Sequence, residues 1–327
     1  MHSFEELYLL FSSKLEEEIN LISAREPKNL YEPVIYTLKM GGKRLRPVML
    51  LMACEIFDSN LEDALPAAFA IELFHNFTLL HDDIMDGANL RRNNETIHIK
   101  YSNNTAILSG DAMSILSYEY INKCISPNYK KVFDQFTHTA LKICEGQQFD
   151  MDYETRDHVS ASEYLNMIGL KTAILIATSL KIGALIAMAP DEDAQMLFDF
   201  GFNLGMAFQL QDDYLDTFGD TSSFGKNIGG DIVANKKTFM MLKALELATG
   251  EQLIELRKLI SSLNFDKEEK IKKVRDIYID LGIVQLIKEK MEEYYQKSIY
   301  FWDQIKIDSL KKKQLLDIAK MVMKRKS

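Results

Sequence analysis

After Pro190 the chain runs 137 residues (327 minus 190) without another proline. Proline removes an amide donor and clashes with the preceding helical turn, so it is the residue a long helix tolerates least. Its absence over so long a stretch lets helix follow helix with only glycine and polar punctuation between. The whole chain has only six prolines and 15 glycines, while leucine, methionine, lysine and glutamate abound. These residues favour helix, and the alternation of a half-buried strand is nearly absent. The expectation is an all-α chain. Its polar gaps are short and none is of low complexity, so residues 1–327 read as one large helical bundle in a single domain.

Periodicity places the first helix over Phe4–Ala24, with Phe4, Tyr8, Phe11, Leu15, Ile19 and Ile22 on one side. Pro27 to Pro33 reads as a break. Gly41-Gly42 precedes an apolar helix from Pro47 to Phe57, and Pro66 reads as the start of the next, ending at Asp86. Gly87–Thr96 is a polar loop. Helix signals resume near Ala106 and from Tyr129 to Met151. A charged linker spans Asp152–Ser160, and Ser162 is the expected cap of the helix after it. Asp191–Asp216 is another helix and Gly219–Gly230 a loop, with further helices divided near Gly250, Phe265 and Gly282.

Two helices share an ending. Thr78-Leu-Leu-His-Asp82-Asp83-Ile-Met-Asp86 is echoed 130 residues later (212 minus 82) by Phe208-Gln-Leu-Gln-Asp212-Asp213-Tyr-Leu-Asp216. Residues four apart share a helix face, so Asp82 pairs with Asp86 and Asp212 with Asp216. Carboxylates this close repel one another, and a helix C-terminus disfavours negative charge. A bound divalent cation offsets both penalties, and an all-oxygen donor set that keeps waters suits magnesium. A solvated acidic helix end explains one such cluster; it explains a matched pair poorly. The glycine and terminal glutamate of a calcium loop are missing.

Cations sit near both clusters. Gly41-Gly42-Lys43-Arg44-Leu45-Arg46-Pro47 puts three beside a glycine pair at a helix start, where backbone amides also point outward. Arg91 and Arg92 follow the first triad; Lys226 and Lys236 follow the second. Lys171, next to Thr172, interrupts an apolar helix. Guanidinium forks match diphosphate oxygens. Singly, each of these is a surface ion-pair residue; it is their pairing with the triads that suggests a polyanion site. The Gly41–Pro47 stretch lacks P-loop spacing. His75, two turns before Asp82, reads equally as a diphosphate donor or a core histidine. Phe74 and Phe77 read as core packing or as the floor of a cavity.

The net charge of −9 and pI near 5.3 argue against a nucleic-acid partner. Three cysteines, Cys54, Cys124 and Cys144, fit free thiols in a reducing compartment. The N-terminus does not read as a signal peptide, and Thr172–Pro190 reads as a core helix, so the cytoplasm is expected, with loose membrane-surface association left open.

The triads, the Gly-Gly-Lys-x-x-Arg-Pro run, Gly110-Asp111, Glu145-Gly146-Gln147 and the Gly225-Lys226…Gly229-Gly230-Asp231-Ile232 loop closely resemble the trans-isoprenyl diphosphate (polyprenyl) synthases over about Lys28–Ile299. The resemblance implies an all-α bundle around a deep cavity, a homodimer, and three magnesium ions. It implies head-to-tail condensation of isopentenyl diphosphate with an allylic diphosphate (dimethylallyl, geranyl or farnesyl). By resemblance Asp82, Asp83, Asp86, Asp212 and Asp216 hold metal, with Asp213 a supporting acid. Arg91, Lys171, Lys226 and Lys236 surround the allylic diphosphate. Lys43, Arg46, His75 and Arg92 form the isopentenyl diphosphate pocket, and Thr172 and Gln209 stand near the allylic C–O bond. The residue five before the first aspartate, Phe77, helps set product length, with Phe74 deeper and Thr78 small beside it. A bulky floor implies a C20 product, then C15. One departure stands out: Asn93 occupies a position where the family usually has glycine. A terpene cyclase would not need the second triad with the Gly41–Pro47 cations, and a non-catalytic subunit would be expected to lose acids or arginines that are all present here.

Overall fold

The computed structural model describes residues 2–57, 59–219, 228–262 and 264–323. The order is α1 (Phe4–Ser23), α2 (Lys28–Lys39), α3 (Leu45–Ile56), α4 (Leu61–Met85), β1 (Leu90–Arg91), β2 (Asn94–Glu95), α5 (Ile97–Lys100), α6 (Asn103–Ile121) and α7 (Tyr129–Thr155). Then come α8 (Ala161–Ile168), a π-turn (Gly169–Ala173), α9 (Ile174–Ile186), α10 (Asp191–Phe218), α11 (Gly230–Val233), α12 (Phe239–Leu247), α13 (Gly250–Ser261), α14 (Lys267–Asp280), α15 (Ile283–Gln304) and α16 (Ser309–Met323). The fold is all-α, as the proline pattern requires.

The chain groups into two compact units. The first comprises residues 1–140, 175–198 and 304–318, the second 141–174, 199–303 and 319–327. Their boundaries fall within helices, inside α7, at the start of α9, inside α10, at the end of α15 and inside α16. In the first unit α3 buries nine of its 12 residues, and α4 is buried on nearly all sides along its first half. In the second, α12, α14 and the start of α15 close around Met206 and Leu210 of α10.

Several expected boundaries shift. Pro33 lies within α2 and Pro66 within α4, so neither starts nor ends a helix. Both fall at the sixth residue, just past the amides that lack an intrahelical partner, so each removes little of the ladder. Asn60 caps α4 instead, accepting from the Glu62 amide at 3.2 Å. Ser160, not Ser162, caps α8, through a reciprocal bond with Glu163. α7 runs four residues past Met151, to Thr155. There Lys237 Nζ donates to the Tyr153 and Arg156 carbonyls, supplying the end with a cation it otherwise lacks.

The Gly87–Thr96 loop contains a two-residue hairpin. Leu90 pairs with Glu95 and Arg91 with Asn94, and Arg92 and Asn93 at the turn have φ of 53° and 61°. Such a turn requires left-handed backbone at both central positions, which glycine gives freely and asparagine tolerates best among the rest. Asn93 therefore serves the turn that glycine would.

The segment Ala161–Ile186 is long and apolar enough to cross a membrane, but 78% of its most apolar window is buried, which fits a core helix.

Candidate active site

The first unit carries the first triad at the end of α4. Asp86 caps the helix, its amide bonded to the Asp82 carbonyl at 2.8 Å. Helical phase divides the three acids: Asp82 is half-buried, Asp86 exposed, and Asp83 buried at 5% exposure. Arg91 Nε and Nη2 both donate to Asp83 Oδ1, at 2.9 and 2.6 Å, and Nη2 lies 3.5 Å from Asp82. Burial pushes the Asp83 carboxyl up, and the two bonds from Arg91 oppose that shift. The structure thus gives Asp83, expected as a metal ligand, to Arg91, and gives Arg91, expected on the allylic diphosphate, a carboxylate partner.

The cation loop lies against the middle of α4. Arg46 Nη1 lies 3.2 Å from His75 Nε2. Arginine has only donors, so this nitrogen accepts and the imidazole proton sits on Nδ1. Burial, then Arg46 and the other arginines nearby, holds His75 well below its ordinary value, so it is neutral near pH 7. Lys43 is exposed, and Arg92 donates to the Gly41 carbonyl. Lys43 and Arg46 thus stand on this loop, with His75 of α4 against Arg46 and Arg92 reaching in from the hairpin turn.

The aromatic pair on α4 divides. Phe74, 2% exposed, packs on Phe136 at 5.6 Å between ring centroids and belongs to the core. Phe77 is half-buried, lying edge-on between Phe74 and His81 at 5.3 and 4.8 Å. Thr78 turns its hydroxyl to the His75 carbonyl at 2.8 Å.

The second unit carries the second triad near the end of α10. Asp213 is 4% exposed; Tyr164 donates to its Oδ2, and Gln209 Nε2 to its Oδ1 at 3.0 Å. Burial, then repulsion from Asp231, pushes the Asp213 carboxyl up to about 8, and burial pushes the Tyr164 phenol up beside it. Asp216 Oδ2 accepts from the Asp231 amide at 2.9 Å, so this acid also caps α11. Asp212 is half-buried.

Lys171 and Thr172 lie in the π-turn, a form that recurs at functional sites. Lys171 Nζ donates to Asp150 Oδ2 of α7 at 2.6 Å. α10 presses on this turn at Gly205, where a Cβ would lie 2.7 Å from the Ala173 Cα. Lys236 is exposed, and Lys226 lies outside the described residues.

Sequence reasoning missed Glu72, Asp150 and Tyr164, each of which holds an expected site residue or its neighbour, and Asn76, which bonds Glu72. A glutamate three residues before His75 in an otherwise apolar helix was the available signal for Glu72. Nothing in the local pattern marks the other three.

Among the described residues no three acidic, imidazole or thiol groups form a ready metal cage. Magnesium keeps waters and takes one or two carboxylates plus substrate oxygens. The oxygen-only donor set and the exposed or half-exposed outer acids of each triad fit it.

A family model described as polyprenyl synthetase matches residues 27–278. A geranylgeranyl diphosphate synthase of Methanosarcina mazei is 42% identical over 238 residues, covering 72% of this chain and 74% of that protein. One from Sulfolobus acidocaldarius is 38% identical over 310 residues, 93% of each chain. A crystal structure of a geranylgeranyl pyrophosphate synthase, 43% identical, superposes over the full length of both chains with a TM-score of 0.94.

Proposed function

Because the chain belongs to the polyprenyl synthetase family, the trans-isoprenyl diphosphate synthases, we propose that it condenses isopentenyl diphosphate head to tail with an allylic diphosphate. The product is a short all-trans chain, C20 ahead of C15. The observation that carries the reading is the first triad's arrangement: a half-buried and an exposed acid, Asp82 and Asp86, beside an arginine fixed by the buried Asp83.

Both triads serve one reaction in one synthase domain. Asp82, Asp86, Asp212 and Asp216 would hold magnesium, three ions in all. Asp83 anchors Arg91, and Asp213 orients Gln209. When bound, the metal supplies positive charge against the departing diphosphate. Arg91, Lys171, Lys226 and Lys236 add to that charge. The allylic C–O bond breaks, leaving a carbocation and free diphosphate. With its amide nitrogen bonded to Asp213, Gln209 offers its amide oxygen to that cation, and Thr172 its hydroxyl. Isopentenyl diphosphate, held by Lys43, Arg46 and Arg92 with His75 fixing Arg46, attacks through its double bond. The C2 proton passes to the departed diphosphate, so no protein base is needed. Apolar walls keep out water that would quench the cation, and Phe77 limits chain growth.

The active form is a homodimer. Leu108 and Ile115, 59% and 71% exposed, lie seven residues apart on one face of α6, and a second copy covers them. Cys54 and Cys124 are buried free thiols, in keeping with a reducing compartment such as the cytoplasm; the apolar product would partition loosely to a membrane surface.

The test incubates purified protein with magnesium, isopentenyl diphosphate and each of dimethylallyl, geranyl and farnesyl diphosphate, and sizes the products. Elongation to C20 is expected. Loss of diphosphate to water with no chain growth would overturn the reading.

A further inference from the structure

Arg44 is the cation of the loop that the proposed reaction does not use. It is 8% exposed, whereas Lys43 is exposed and Arg46 half-buried. Its backbone is left-handed, φ 45° and ψ 34°, an uncommon conformation for any residue but glycine, where it heads α3. Its guanidinium is engaged inward. Nη1 donates to Glu72 Oε1 of α4. Nη2 donates to the Leu38 carbonyl, one of the last in α2 and so without an intrahelical donor. Asn76 Nδ2 bonds the same Glu72 oxygen at 2.8 Å and the Glu72 carbonyl at 2.8 Å. One arginine therefore ties the end of α2 and the start of α3 to the flank of α4.

The tie has a second rung. Glu72 and His75 are three residues apart on α4, and Arg44 and Arg46 two apart on the loop. Arg44 meets Glu72, and Arg46 meets His75 at 3.2 Å. Arg92 then closes on the same loop, donating to the Gly41 carbonyl. It fills the space beside Gly42, where φ is 130° and a Cβ would lie 2.7 Å from the Arg92 Cζ. Stability alone does not explain the buried charges, since well-packed apolar residues often replace a buried ion pair at no loss. Position does. Glu72, 2% exposed, takes donors from both Arg44 and Asn76 at one oxygen, and so fixes where the loop that carries Lys43 and Arg46 lies on α4.

We propose that Arg44 and Glu72 are a positioning pair for isopentenyl diphosphate, setting the 41–46 loop on α4 so that Lys43, Arg46 and Arg92 converge on one diphosphate. The proposal rests on the reading that those three cations hold that substrate.

Steady-state kinetics of the full chain, with each substrate varied in turn, test it. The double variant Arg44→Met/Glu72→Leu removes both charges together and should keep the melting temperature near wild type. Its KM for isopentenyl diphosphate should rise about tenfold or more, with kcat and the allylic KM within about twofold. Arg44→Lys, which keeps the charge but has one nitrogen in place of the two that reach Glu72 and Leu38, should show the same split to a smaller degree. Lys43→Ala is the control. If it leaves the isopentenyl diphosphate KM unchanged, the pocket assignment fails, and the positioning pair with it. If it raises that KM while neither Arg44 variant does, the pocket stands and the positioning pair is refuted. A parallel rise in both KM values with a fallen melting temperature would make the pair merely structural, and would refute it equally.

Discussion

The two aspartate triads share a sequence but not a setting. In each, helical phase buries the middle acid, Asp83 at 5% and Asp213 at 4% exposure. Asp83 then meets a guanidinium, while Asp213 meets a phenol and an amide with Asp231 adding repulsion. The offset of 130 residues carries the contrast deeper into the helices. His75 aligns with Gly205, Glu72 with Phe202, and Phe77 with Ala207. So α4 bears polar groups that anchor a cation loop, and α10 bears a glycine that lets it lie against the π-turn holding Lys171. One motif tops two helices with different tasks: α4 organises arginines, and α10 positions a lysine and a glutamine.

The largest effect tests whether the triads are equals in chemistry despite this. Asp82→Ala and Asp212→Ala should each lower kcat by about 10³-fold, followed with labelled isopentenyl diphosphate. A much smaller loss at one of them would break the parity.

The middle acids should separate sharply in stability. Asp83→Asn strips Arg91 of its buried partner and should cost about 3 kcal/mol, the low end for a broken pair because Arg91 keeps some access to water. Asp213→Asn places a neutral group where burial already favours one, and should cost about 1 kcal/mol. Urea unfolding of both variants measures the gap, and similar values would erase the distinction.

His75 supplies a pH signature that Gly205 cannot. Its folded value is depressed, so below about pH 6.5 the unfolded chain takes up a proton that the folded chain refuses. Stability should therefore fall as pH drops through that range, by up to about 1.4 kcal/mol per pH unit from this group. His75→Gln should remove that share, and an unchanged slope would show that His75 does not carry it.

The smallest change concerns product size. Phe77→Ala should lengthen the chain by a five-carbon unit or more, seen by extraction and chromatography. Ala207, small and buried, has no ring to trim. Unchanged product length would remove Phe77 from that role.

Much of this was legible in the residues. The scarcity of proline gave the helical class, and the apolar runs into Asp-Asp-x-x-Asp located both triads at helix ends. Helix spacing also sets Asp83 and Asp213 apart in phase from their outer neighbours. What spacing cannot supply is the partner across the helix: whether a buried acid faces Arg91 or Tyr164 depends on elements 8 and 49 residues away. The helix starts were misplaced at Pro33 and Pro66 for a related reason, since burial of the surrounding face outweighs one lost backbone bond. The π-turn had no sequence signal; Lys171 and Thr172 stood out only as polar residues in an apolar run.

That turn, Gly169–Ala173, widens the helix so that one residue more than usual fits into a turn. Delete any one of the five and the stretch would relax to ordinary pitch, leaving the helices on either side in phase but turning residues within the turn, Lys171 among them, by up to about 100°. The Lys171 ammonium would then lose its 2.6 Å grip on Asp150 even if the lysine itself were retained. The number of amino acids here is as much under constraint as their kinds, and a shortened homologue would have to rebuild this corner from other parts.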